Sequence, residues 1–139
     1  MIEHVDEVLR KLERAVNRHS MRVKQCRRAL REYRRGVTTD EDVRNSIVRL
    51  VRTSRAVRKL LEQLDEYSYI SELNGETSER IHLLAFFISE VSVNEELELW
   101  HHILTAPGIV IGIDELHKQL EHLEQLRQLA YKLLDKTKR

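Results

Sequence analysis

A chain of 139 residues that is 41% hydrophobic and 34% charged, with one proline, four glycines and one cysteine, amounts to one domain of polypeptide. At this size roughly two-thirds of the unfolded surface can be buried, so neither disulfides nor a structural metal is required, and a lone cysteine excludes a disulfide scaffold. No apolar run reaches the roughly 18–20 residues that cross a bilayer, and Met1 to Glu7 is too acidic for a signal peptide; the expectation is a soluble chain of a reducing compartment.

The scarcity of helix breakers and the abundance of Leu, Glu, Arg and Lys predict an all-α fold. From Ile2 the apolar positions run Ile2, Val5, Leu9, Leu12, Val16, His19, Val23, Cys26, Leu30, Tyr33 and Val37. Steps of 3 and 4 alternate without a break, the seam of one long helix near 2–35. Gly36 ends it, and Thr39 to Asp42 reads as a capping box that opens a second helix near 40–66. Its seam is Val43, Ile47, Leu50, Ser54, Val57, Leu61 and Leu64. Folded back at Gly36–Thr39 the two seams pair in register, so residues 1–66 form a long antiparallel helical hairpin.

Past Leu64 the pattern changes. Tyr67 to Ile70 forms a last turn or a short helix that ends at Asn74–Gly75. Thr77 or Ser78 then caps a helix near 78–91 whose run from Ile81 to Ile88 is apolar nearly all round, which places it in the middle of a bundle. Ser92 to Glu95 is a second capping box, opening a helix at 93–105 with Leu97, Trp100, Ile103 and Leu104 on one face. Asp114 caps the last helix, 114–136, with the stripe Leu116, Leu120, Leu123, Leu126, Ala130, Leu133 and Leu134, and Lys136–Arg139 is a frayed tail. Residues 67–139 are thus a small acidic three-helix bundle packed with the hairpin as one structural unit.

The net charge of +1 conceals a division: residues 1–60 carry 17 Lys and Arg against 8 Asp and Glu, while residues 61–139 carry 7 against 15. The basic residues avoid the hairpin seams and line up one turn apart, as in Lys24-Arg28-Arg31-Arg35. Like charges at that spacing repel, so the array costs stability unless an anion compensates it. A phosphodiester backbone presents regular negative charge, and the arginine fork binds phosphate well. Tyr33 is the hairpin's one aromatic and lies on the seam, which argues against single-strand stacking, and no short recognition helix appears. The partner expected is double-stranded nucleic acid, contacted without sequence preference.

Chemistry of other kinds finds little support. Glu98–His101 and Asp114–His117 have i, i+3 spacing, but no inward-facing acids complete a di-metal set, so no metal and no cofactor is expected. His101, His102 and His122 read as surface groups. His19 reads as a hydrogen-bonded register device opposite Val57 and Ser54, and Cys26 as core. With no phosphate loop or nucleophile arrangement, the chain is not read as an enzyme and no small-molecule substrate is expected. The apolar stretch 103–113 is either a loop tucked over the bundle or a patch joining protomers, with Ile109, Val110 and Ile111 as the contact.

A basic helical hairpin followed by a compact helical bundle in a chain of this length resembles the major capsid proteins of filamentous archaeal viruses. That resemblance implies related proteins that wrap double-stranded DNA in a helical virion. It implies backbone wrapping by Arg14, Arg18, Arg28, Arg31, Arg35, Arg52 and Arg55, and protomer contacts by the C-terminal bundle. The charge division favours a head-to-tail oligomer of this chain, alone or with a related helical protein. The alternative is a cytoplasmic helical adaptor, or a small subunit of a nucleoprotein complex.

Overall fold

The computed structural model describes residues 2–67 and 75–138, the side chains of Ile2 and Glu3 excepted. It is all-α: α1 spans Ile2–Arg34, α2 Asp40–Asp65, α3 Gly75–Phe87, α4 Val93–Leu104 and α5 Ile113–Lys136, and there is no strand among the described residues. The expected turn at Tyr67–Ile70 and the break at Asn74 fall largely on residues 68–74, outside the described residues.

Both seams of the hairpin are buried, from Val5 to Leu30 on α1 and from Val43 to Leu64 on α2; Tyr33 is half-buried and Val37 is exposed. Gly36 closes α1 at φ +73°, a conformation that favours glycine, and the Val37 and Gly36 amides donate to the carbonyls of Glu32 and Tyr33 at 2.8 and 3.0 Å. Thr39 caps α2, its hydroxyl accepting from the Asp42 amide at 3.3 Å, while the Asp42 carboxylate accepts from the Thr38 hydroxyl.

The second capping box does not form. Ser92 is helical and caps nothing; residues Ile88–Ser92 make a π turn that joins α3 to α4 without interruption. The core-facing edge of α4 is Val93, Glu96, Leu99, Trp100 and Ile103, leaving Leu97 half-buried and Leu104 exposed. The last helix opens on Gly112, with Asp114 inside its first turn, and α3 opens three residues ahead of Ser78. Lys136 is not frayed, since its ammonium donates to Asp65 at 2.6 Å.

The result is a bundle of four rods in which α1 packs on α2, the run α3–π–α4 lies against α1, and α5 lies against α2 and α3. One continuous core draws on all five helices. The third helix is not its centre: Leu83, Phe86 and Phe87 face solvent. An apolar helix can be expected inside only if every side of it finds a neighbour, and here α1 and α5 cover one side.

Candidate nucleic-acid interface

The core faces of α1 and α2 leave their other faces to solvent, and all seven predicted arginines are exposed. Arg28 pairs with Glu32 of its own helix at 2.9 Å. Among the described residues Arg14, Arg18, Arg31, Arg35, Arg52 and Arg55 have no carboxylate within ion-pair distance. Besides Arg28–Glu32, the pairs within the hairpin that neutralise its cations are Arg10–Asp6, Lys11–Glu7, Arg44–Asp40 and Arg58–Glu62, each one turn apart in one helix. The acidic half does not fold over the basic one. Its surface ion pairs to the hairpin run with the charges reversed, from Arg80 to Asp6 and Glu13 at 2.9 and 2.6 Å and from Lys132 and Lys136 to Asp65. Those two ammonium groups hold Asp65 below the usual carboxylate range although burial pushes it up.

The seven arginines do not form one group. Arg14, Arg18, Arg28 and Arg31 line the solvent face of α1, and Arg35 stands in the turn just past its end. Arg52 and Arg55 sit instead on the flank of α2 turned toward α5, where they and Lys118 rim a cavity of about 550 Å³. Val48, Val51 and Ile111 wall that cavity and Trp100 lines it. Gln119 lies at its inner end with its carbonyl oxygen, Oε1, unpaired among the described residues.

Beneath the hairpin lies a polar cluster built by residues far apart in sequence. Glu96 is fully buried and accepts three hydrogen bonds: from His19 Nε2 at 2.7 Å, Trp100 Nε1 at 2.9 Å and Gln119 Nε2 at 2.8 Å. Burial raises its pKa, but the donors outweigh that, His19 foremost, and Glu96 stays ionised below the ordinary range. His122 is buried beside it and hydrogen-bonds Ser54 at 2.9 Å. Burial holds its imidazole below the usual value against the attraction of Glu96, with Arg58 and Arg55 adding to the depression.

Three expectations are corrected here. His122 is core, not surface; the partner of His19 is Glu96 rather than Ser54 or Val57; and an inward-facing acid does exist. Glu96 was hidden because Glu95, Glu96 and Glu98 together read as the acidic first turns of a helix. The signal that could have found it is the 3-4-3 spacing Val93, Glu96, Trp100, Ile103. With both Glu96 oxygens engaged, the cluster sets how α1, α4 and α5 register, and two of its members, Trp100 and Gln119, also line the cavity between α2 and α5.

The apolar segment after α4 divides likewise. Ile109 is buried in the chain's own core, which corrects its assignment to a protomer contact, whereas Ile111 is half-buried and Val110 is 73% exposed. Tyr33 anchors the segment, its hydroxyl donating to the Pro107 carbonyl at 2.7 Å. That hydroxyl lies 2.4 Å from where a Cβ on Gly108 would stand, and Gly108 has φ +82°, so glycine is required there twice over. Glu98, His101, Asp114 and His117 all lie exposed on helix surfaces. Cys26 is buried, and burial pushes its thiol up, which suits a core residue. No helix among the described residues is long and apolar enough to cross a membrane.

Comparisons with protein-family models, with curated proteins and with solved structures gave no match, so the chain's own geometry has to carry the functional reading.

Proposed function

We propose that this protein is a non-enzymatic structural protein that binds the duplex nucleic-acid backbone without sequence preference and assembles along it as repeated units, in the manner of a filamentous capsid. The observation that supports this is the row of outward arginines along α1 and the turn that follows it, of which Arg14, Arg18, Arg31 and Arg35 have no carboxylate partner among the described residues. A fold that could have laid its acidic half over them keeps them outward, and the repulsion between neighbouring turns is relieved by an external polyanion. Arg14, Arg18, Arg28, Arg31 and Arg35 are the phosphate contacts. The partner on this reading is double-stranded DNA, and the setting a virion.

The test is filter binding to random-sequence DNA duplex over a salt series. Each phosphate neutralised contributes about −0.9 to the slope of log affinity against log salt, so reversing Arg28, Arg31 and Arg35 to Glu should abolish retention, and changing them to Gln should lower the slope by about three. Equal affinity for unrelated duplex sequences is expected. No retention at about 50 mM salt, where phosphate contacts are strong, overturns the reading and leaves the helical adaptor.

A further inference from the structure

The fold uses one side of α3. Its inner side carries Ser78, Ile81 and Ala85, and its outer stripe runs Glu76, Glu79, Leu83, Phe86, Phe87 and on to Glu90 in the π turn, all exposed. Leu83 is 61% and Phe86 54% exposed, and Tyr131 of α5 stands alongside, its hydroxyl donating to Glu90 at 3.3 Å. Single apolar residues on a surface are ordinary, whereas three large ones adjacent on one stripe mark a contact surface. Among the described residues Glu76, Glu79 and Glu90 have no cation within ion-pair distance, so the stripe is apolar in the middle and has carboxylates at both ends, with Lys138 on the same depression as Glu79.

The cavity between α2 and α5 has the opposite character. Val48, Val51 and Ile111 make it apolar, and Arg52, Arg55 and Lys118, unpaired among the described residues, outweigh the single carboxylate of Glu115 at its rim. Lys118 and Tyr131 mark the two surfaces on α5, and at 1.5 Å per residue they are about 20 Å apart along its axis. The two surfaces are therefore separate patches of one molecule.

We infer that they are the two sides of a single contact: the α3 stripe of one copy docks in the α2–α5 groove of the next. Leu83, Phe86 and Phe87 are spaced as the anchors of a helix laid in a groove. Glu79 and Glu90, which flank them, meet Arg52, Arg55 and Lys118. Because the surfaces differ, the contact is heterologous and propagates from copy to copy. The inference rests on the assembly half of the proposed function and moves Arg52 and Arg55 from the phosphate contacts to the protomer contact, leaving the α1 arginines free for nucleic acid.

The experiment is sedimentation of the full chain without nucleic acid, at low salt and over a concentration series, with circular dichroism to verify folding. The stripe variant is Leu83→Asp with Phe86→Asp; the groove variant is Arg52→Glu with Arg55→Glu; all four positions are exposed, so helical content should hold. The unmodified protein should grow beyond a dimer as concentration rises, and each variant alone should stay monomeric. An equimolar mixture of the two variants should give a species of twice the monomer mass and nothing larger, since each variant retains one intact surface. A strictly monomeric unmodified protein, a groove variant that still associates by itself, or a mixture that stays monomeric overturns the inference. Phosphate binding is read separately, in the filter assay, so a failure here is distinguishable from a failure there.

Discussion

The hairpin and the C-terminal helices carry opposite charge, yet the ion pairs that join them at the surface draw on the minority charge of each half. Arg80 reaches into the basic hairpin for Asp6 and Glu13, and Lys132 and Lys136 hold Asp65. The majority charges stay outside, where water screens them and little is lost by leaving them unpaired. The interior follows another rule. One carboxylate, Glu96, is taken out of water and meets three donors, because an unmatched buried charge costs several kcal/mol. Outside, charge is free to serve a partner; inside, it is committed to the fold.

The largest effect should come from breaking the inner set. Glu96→Ala leaves the ring of His19, the indole of Trp100 and the amide of Gln119 without their acceptor, and unfolding in urea should register a loss of about 3–5 kcal/mol. Glu96→Gln keeps the shape and should lose less. Should Glu96→Ala prove neutral, the cluster does not hold α1, α4 and α5 together.

Next in size is the tie between halves. Arg80→Met removes a cation shared by two carboxylates but partly open to water, so about 1 kcal/mol or less is expected in the same assay. The outer array should show the reverse sign. Arg31→Gln with Arg35→Gln relieves like-charge repulsion one turn apart and should leave stability unchanged or raise it by a few tenths of a kcal/mol, while nucleic-acid affinity falls. A clear loss of stability would mean that these arginines serve the fold.

The smallest effect concerns pH. The His122 pKa lies below the usual 6.5 in the folded chain, so the unfolded chain takes up a proton that the folded chain refuses. That contribution to stability is complete above pH 6.5 and is lost as pH falls through 6.5 toward the folded value. The melting temperature should therefore decline from about pH 7 to about pH 5, and less so in His122→Asn. Glu96 acts at lower pH. Its carboxyl lies below the ordinary range, so its contribution is present above the usual carboxylate value and goes only when acid protonates it in place. A His122→Asn curve that superposes on the unmodified one would remove the imidazole from this account.

The sequence by itself determined the elements whose signals are local. Seam spacing located α1 and α2, Gly36 and Thr39 located the turn between them, and the same spacing placed all seven arginines on open faces, because period and capping act within a few residues. What α3 faces, what Glu96 and His122 are for, and which arginines share a surface were decided by tertiary structure. Ser92 to Glu95 has the letters of a cap, but Ser92 is itself buried, with Ile88, Ser89 and Val93, and the chain stays helical through a π turn. Glu96 lies 77 residues from His19, its shortest contact, and no period along α4 could distinguish a carboxylate that finds three donors inside from one that stays in water. Local spacing says which side chains share a helix face, whereas burial of a polar group depends on what other helices bring to it.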